Sequence, residues 1–179
     1  MVATTLFNTV LVVVPIIGLT KLIGGNMASL YLSKGRFWLG LGIGLATFTS
    51  FSVTSVAAAT TFFVGRDVSY ERVLSWVPWI VPFVLSNGVR EEVWFRGFFC
   101  RGLRPSSEPR RPMCFRRWFS HLVISMCNTR PGSLCFWESR SYWGLGFGAV
   151  TQKTGSLLGA VLFHAGADVP VIIGIFSNL

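Results

Sequence analysis

Uncharged residues run for long stretches along this chain. None of residues 1–20 is charged, and residues 37–65 form a second uncharged stretch. A helix needs roughly 20 apolar residues to cross the ~30 Å hydrocarbon core of a bilayer. Both stretches are long enough, and they predict transmembrane helices over about Thr4–Thr20 and Phe37–Val64.

Two further apolar stretches follow in the C-terminal half of the chain. Residues 73–89 carry no charge, and the only formally charged residue between Thr154 and Leu179 is Asp168. Helices satisfy their own backbone hydrogen bonds, which a bilayer core requires. We therefore predict an all-α fold, a multi-pass transmembrane helical bundle of about four to six spans. Residues 1–179 would form a single membrane-embedded domain.

The N-terminal apolar stretch differs from a secretory signal peptide. A signal peptide has a positively charged region before its apolar core and a small-residue cleavage site after it. Residues 1–20 contain no Lys or Arg, and no clear cleavage site follows them. We expect this stretch to be retained as a membrane anchor.

Basic residues outnumber acidic ones by 16 to 7, which gives a formal net charge of +9. In a soluble protein this excess would suggest nucleic-acid binding, whereas in a membrane protein Lys and Arg collect in cytoplasmic loops. Residues 21–36 hold three basic residues and no acid, and residues 90–117 hold eight Arg against three Glu. We expect no nucleic-acid partner, an outside N terminus, and residues 90–117 toward the cytoplasm. In a prokaryote the membrane would be the cell membrane.

The composition changes between residues 102 and 142. This segment is rich in Arg, Cys and Trp and contains no Lys. Its longest apolar run, Trp118–Thr129, is shorter than the roughly 20 residues that a helix needs to span a membrane. Two explanations stay open: a divergent cytoplasmic loop, or a segment that is translated out of frame.

Ionisable residues interrupt the apolar pattern at two places. Glu91 and Glu92 follow the third apolar stretch, and His164 and Asp168 lie inside the last one. A carboxylate at bilayer depth costs a few kcal/mol even on lenient insertion scales, so it indicates a functional site by default. A glutamate base and a histidine that shares the proton or stabilises an oxyanion could together activate a water molecule.

The helical spacing of these residues adds detail. Glu92 and Arg96 are four residues apart and share a helix face, so the arginine can hold that carboxylate. Glu91 then points about a quarter-turn away, toward a cavity. His164 and Asp168 have the same spacing, which lets the carboxylate orient the imidazole.

Each of these pairs alone also has a structural explanation. Glu92 and Arg96 could form an ion pair that packs a helix end, and His164 and Asp168 could bridge two helices. A small transporter or channel that relays protons through Glu91 and His164 is a further alternative, although the chain has few spans and no inverted repeat. Finding both pairs in one chain favours a functional site.

Two sequence motifs resemble those of a known family. Residues 91–97, Glu-Glu-Val-Trp-Phe-Arg-Gly, resemble the Glu-Glu-x-x-x-Arg motif of the CAAX protease and bacteriocin-processing family, which includes the type II CAAX prenyl endopeptidases. Residues 153–157, Lys-Thr-Gly-Ser-Leu, and residues 163–168, Phe-His-Ala-Gly-Ala-Asp, resemble its later motif, a Thr-Gly-Ser-Leu entry into a helix bearing His-x-x-x-Asn/Asp. The two motifs occur in the family's order.

The resemblance implies an intramembrane glutamic endopeptidase that hydrolyses peptide bonds of membrane-associated substrates, with prenylated CAAX proteins as one class. The implied partners are a peptide or protein substrate and the lipid bilayer. Glu91 would be the base that activates water, and Glu92 and Arg96 would shape the site. His164 and Asp168 would orient the water or stabilise the oxyanion.

Older descriptions of this family as metalloproteases suggest a zinc ion. The sequence has no His-Glu-x-x-His motif and no open three-ligand set of the usual kind. Its four cysteines form no Cys-x-x-Cys pair, so neither a zinc knuckle nor a redox pair is indicated. We expect no metal and no other cofactor.

The family's middle motif, Phe-x-x-x-His, supplies a second catalytic histidine and has no clear counterpart here. The only candidate is His121, and position 117 is Arg instead of Phe. The missing motif favours an alternative function for the chain. It would then be a catalytically impaired relative that acts as a membrane-binding or bacteriocin-immunity-like protein.

The encoding nucleotide sequence distinguishes the two explanations of residues 102–142. A frame shift predicts that one of the two other frames encodes an apolar helix with Phe-x-x-x-His at this place. If neither frame encodes such a helix, the out-of-frame explanation is wrong and the segment is a divergent loop.

Overall fold

A computed structural model of the chain describes residues 2–62, 68–95 and 146–177, and these residues contain helices and no strand. A short stretch over residues 146–154 is also helical. This result confirms the all-α fold class. The elements are α1 (Val2–Leu22), a 3-10 helix (Met27–Leu30), α2 (Phe37–Phe62), α3 (Tyr70–Glu92) and α4 (Leu158–Phe176).

Three of the described helices, α1, α2 and α4, are long and apolar enough to cross a membrane. Two of them correspond to the first two predicted spans. Much of the surface of α1 is apolar, and such a surface is expected to face acyl chains in a bilayer. The exposed apolar side chains of this surface are Leu6, Phe7, Val10, Leu11, Val14 and Leu19.

α3 occupies the place of the predicted third span but is not one of these three helices. It begins after Ser69, whose side-chain oxygen accepts a hydrogen bond from the backbone N–H of Arg72 at 3.3 Å, as N-cap residues do. Glu71 lies in its first turn and Arg90 in its last. The helix was predicted correctly, and its crossing of the membrane stays a prediction. So does the total of four to six spans, because residues 96–145 lie outside the described part.

The last predicted span, which was expected to begin at Thr154, is divided in the structure. The helix over residues 146–154 ends at Gly155, which has a φ of +68°. This left-handed conformation favours glycine because it has no Cβ. α4 then begins at Leu158. The predicted start was therefore wrong by about one turn, since the glycine ends one helix before the next begins.

The linker between α1 and α2 holds this break in place. The backbone N–H of Arg36 donates to the carbonyl oxygen of Thr154 at 2.6 Å, and the N–H of Leu157 donates to the carbonyl oxygen of Tyr31 at 3.1 Å. Both bonds use backbone groups at helix ends, which have no partner within the helix. They fix the start of α4 relative to α1 and α2.

α4 packs along both α2 and α3, while α1 packs against α3. Small residues bring α2 and α4 close together. A Cβ added at Gly159 would lie 2.8 Å from the carbonyl oxygen of Gly40, and one added at Gly44 would lie 2.8 Å from Cβ of Leu162. Such residues let helix backbones approach in a bilayer, where the hydrophobic effect does not drive helices together.

The close contact of α2 and α4 predicts that Gly159→Ala destabilises the bundle. The added methyl group would overlap the Gly40 backbone, and overpacking of this kind costs about 1–3 kcal/mol. Gly42→Ala is the matched control, since a Cβ there has nothing within 4 Å and alanine favours a helix over glycine by about 1 kcal/mol. We expect the thermal unfolding midpoint in detergent to fall for Gly159→Ala and to hold or rise for Gly42→Ala. Equal midpoints would contradict the close contact.

Candidate active site

The end of α3 carries four polar side chains within two turns. Asn87, Arg90, Glu91 and Glu92 lie there, and residues 93–95 continue the chain as a wider π-helical turn. Asn87 and Glu91 are four residues apart and therefore share a face. π-helical turns are rare and frequently occur at functional sites. The two glutamates thus lie where a regular helix becomes irregular.

α4 approaches this helix end closely enough to contribute two more polar side chains. A Cβ added at Gly88 of α3 would lie 3.0 Å from the carbonyl oxygen of Val161 on α4. The absence of a side chain at this position therefore allows the approach. His164 and Asp168 lie further along α4, one turn apart, and both contact the polar residues of α3. Two helices that are distant in the sequence thus form one cluster.

Glu92 fixes the imidazole of His164 from one side. Its Oε1 atom lies 3.0 Å from Nδ1 of the ring, and its side chain is only 2% exposed. Phe147 stacks on the ring, with the two ring centroids 4.7 Å apart and the planes inclined by 16°. Buried charged groups persist in folded proteins when they are paired. The hydrogen bond and the stacked phenyl ring together set the orientation of the imidazole.

The other ring nitrogen of His164 faces Glu91. Nε2 lies 3.4 Å from Oε2 of Glu91, whose side chain is 24% exposed. Water can therefore reach Glu91, whereas Glu92 is closed to it. Two neighbouring glutamates thus contact opposite nitrogens of one ring from different environments.

Asp168 lies further from the imidazole than the helical spacing suggested. Its Oδ2 atom is 3.8 Å from Nε2 of His164 but 2.8 Å from Nδ2 of Asn87. The carboxylate closest to the ring belongs to Glu92, which lies on the other helix. The i,i+4 spacing identified the neighbourhood correctly, but it could not show which of three carboxylates orients the ring.

Two residues of this cluster were not among the predicted site residues. Asn87 donates from Nδ2 to Oε1 of Glu91 at 3.2 Å, and its Oδ1 atom accepts a hydrogen bond from the guanidinium of Arg90. Nη2 of Arg90 also lies 3.7 Å from Oε1 of Glu91. The signal in the sequence was the position of Asn87, one helical turn before Glu91 and within an apolar stretch.

Two predicted site residues, Arg96 and His121, lie outside the described residues, as does the atypical segment 102–142. The pairing of Glu92 with Arg96 therefore stays a prediction. Among the described residues, no group of three or more His, Cys, Asp or Glu side chains could hold a metal ion. The expectation of no metal stays a prediction, because His121 lies outside the described residues.

A protein-family model matches the region that contains this cluster. The model, described as type II CAAX prenyl endopeptidase Rce1-like, matches residues 73–170, which is more than half of the chain. No curated protein and no solved structure matches the chain. The matched region includes most of α3 and also His164 and Asp168, so the whole cluster lies within it.

The difference in burial between the two glutamates predicts that Glu92→Leu destabilises the fold more than Glu91→Leu. Glu92→Leu removes a carboxylate from a buried ring nitrogen of His164, and a buried polar group that loses its partner costs about 1–3 kcal/mol. At Glu91, solvent can replace the lost carboxylate. Chemical denaturation in detergent micelles should therefore show the larger fall in unfolding free energy for Glu92→Leu. Equal losses, or the opposite order, would contradict the assigned environments.

Proposed function

The chain belongs to the type II CAAX prenyl endopeptidase Rce1-like family, and we propose that it hydrolyses peptide bonds of membrane-associated proteins through a water molecule that Glu91 activates. Membership supports CAAX-type protease activity at a membrane. The observation that carries the mechanism is the position of His164 between two carboxylates, with one ring nitrogen toward Glu91 and the other toward Glu92.

Glu91 is the most exposed of the three carboxylates around His164, so it is the one that meets a water molecule most readily. Its side chain is partly exposed, whereas that of Glu92 is buried against the ring of His164. A general base has to lie within hydrogen-bond reach of the proton that it removes. We therefore assign the role of base to Glu91 and the role of orienting the imidazole to Glu92.

The contact with Glu92 favours one tautomer of His164. In the neutral imidazole, donation from the Nδ1–H group to the Glu92 carboxylate leaves Nε2 with a lone pair. Nε2 and Oε2 of Glu91 are then two hydrogen-bond acceptors 3.4 Å apart. A proton taken from water relieves their repulsion, so Glu91 and His164 together can hold the proton that an attacking water loses.

Peptide hydrolysis balances with these groups alone. The water oxygen bonds to the carbonyl carbon, its proton passes to Glu91 and His164, and negative charge develops on the carbonyl oxygen. A protonated His164 stabilises that charge. When the C–N bond breaks, the two side chains return the proton to the leaving amine, which restores the resting state.

A start of α4 near the membrane surface would place the cluster at a depth that suits a substrate approaching from one face of the membrane. His164 is the seventh residue of α4, so it lies roughly 9 Å from the start of that helix at 1.5 Å per residue. An extended peptide spans roughly 3.3 Å per residue, so a few residues would reach from the helix start to the cluster. Proteins with a membrane-bound terminus, including prenylated CAAX proteins, are the proposed substrates.

One observation favours a second candidate function. Position 117 is Arg where the family's middle motif has Phe, so the sequence lacks a clear counterpart of the motif that supplies the second catalytic histidine. A chain that lacks this histidine would keep the cluster of α3 and α4 but lose turnover. It would then act by binding at the membrane, as an immunity protein does.

The assigned role of Glu91 predicts that Glu91→Gln lowers kcat by about 10²–10⁴-fold, the contribution of a general base. The amide keeps the size of the side chain but cannot take up a proton. Cleavage should be measured in liposomes with two substrates, a prenylated peptide ending in a CAAX sequence and an unprenylated membrane-anchored peptide. Glu71→Gln is the matched control, because it makes the same change at an exposed position in the first turn of the same helix.

The outcomes separate the two candidates. Loss of kcat in Glu91→Gln but not in Glu71→Gln supports the protease. An active parent that Glu91→Gln leaves unchanged would exclude Glu91 as the base. A parent that cleaves neither peptide supports the impaired protein instead.

A further inference from the structure

Asn87 is a buried amide in an otherwise apolar stretch of α3. Asparagine is a poor helix former, and burying its amide is costly unless the polar atoms find partners. Here both kinds of polar atom do. Nδ2 donates to Oε1 of Glu91 at 3.2 Å and to Oδ2 of Asp168 at 2.8 Å, and Oδ1 accepts from Arg90.

These partners define the orientation of the amide group. In the opposite orientation Oδ1 would face two carboxylates and Nδ2 would face a guanidinium, so all three contacts would be repulsive. Networks of this kind are what distinguish the two ends of an amide side chain. Asn87 therefore presents one N–H donor to Glu91 on α3 and the other to Asp168 on α4.

This bridge determines which oxygen of Glu91 is available for chemistry. Oε1 of Glu91 is engaged by Asn87 and lies near Arg90. Oε2 of the same carboxylate is left to face Nε2 of His164. Without the bridge, the carboxylate of Glu91 could rotate about its terminal bond, which has a broad torsional preference.

We propose that Asn87 is a positioning residue that joins Asp168 to Glu91 and holds the reactive oxygen of Glu91 toward His164 and the attacking water. Asp168 acts on the reaction through Asn87, since its contact with the amide is 1 Å shorter than its contact with the imidazole. This proposal rests on the proposed function of Glu91 as the general base.

The proposal predicts that Asn87→Leu lowers kcat with little change in KM. A misplacement of about 1 Å at a reacting group can reduce the rate by about 10²-fold, so we expect a fall of about 10- to 100-fold. Asn87→Asp should lose a similar factor or more, because it keeps the size of the side chain but replaces the N–H donor with a carboxylate oxygen that faces Glu91 and Asp168. Asn8→Leu is the matched control, because Asn8 is an exposed residue of α1. The Asn8→Leu variant should have the same kcat as the parent.

A double-mutant cycle tests whether Asp168 acts through Asn87. If the two form one unit, Asp168→Leu combined with Asn87→Leu should be no slower than the slower single variant. Multiplied losses would instead show independent roles and overturn the bridge. Each variant's thermal unfolding midpoint in detergent identifies losses of kcat that arise from misfolding. If Asn87→Leu does not fold, the nearly isosteric Asn87→Asp carries the kcat test.

The outcomes distinguish this proposal from the function on which it rests. If Glu91→Gln abolishes cleavage while Asn87→Leu and Asn87→Asp keep the parental kcat, the positioning role is wrong and the general base stands. If Glu91→Gln leaves cleavage unchanged, or the parent is inactive, both the base and its positioning residue are excluded. A rise in KM with unchanged kcat would place Asn87 in substrate binding and also overturn the proposal.

Discussion

The contact between the imidazole of His164 and the buried carboxylate of Glu92 is the interaction on which this structure depends. Three carboxylates meet in a small volume between largely apolar helices, and such a group is stable there only with partners. One nitrogen of the imidazole lies 3.0 Å from the carboxylate of Glu92, and the other lies within 4 Å of the carboxylates of Glu91 and Asp168. One aromatic ring thus links three acidic side chains from two helices.

That contact requires the helices to approach closely, and small residues permit it. Gly88 lets α3 lie against α4, and Gly40 and Gly159 let α2 lie against the other side of α4. Apolar residues of α3 and α4 continue the packing beyond the cluster, with Val84 and Ala165 fully buried. A second apolar cluster, which includes Val93, Leu157 and Val161, packs on the other side of the polar residues. The polar cluster therefore lies between two packed apolar regions, and Glu91 is its most exposed carboxylate.

The sequence could predict features that depend on local patterns, but not those that depend on the distance between two helices. Uncharged runs determine helices locally, so the all-α fold and the positions of α1 and α2 followed from them. The motif residues Glu91, Glu92, His164 and Asp168 do lie together, as the resemblance implied. The role of Asn87 as a bridge depends on the distance between two helices, which no spacing within one helix encodes. The break at Gly155 depends on a backbone conformation that a hydropathy pattern does not resolve.

The hydrogen bonds between the α1–α2 linker and the start of α4 have a further consequence. The linker lies outside the region 73–170 that matches the family, yet it sets the register of the helix that carries His164. A fragment reduced to the matched region would hold every polar residue of the cluster without the scaffold that aligns them. The α1–α2 linker thus helps to align the catalytic helix, in addition to joining two candidate membrane spans.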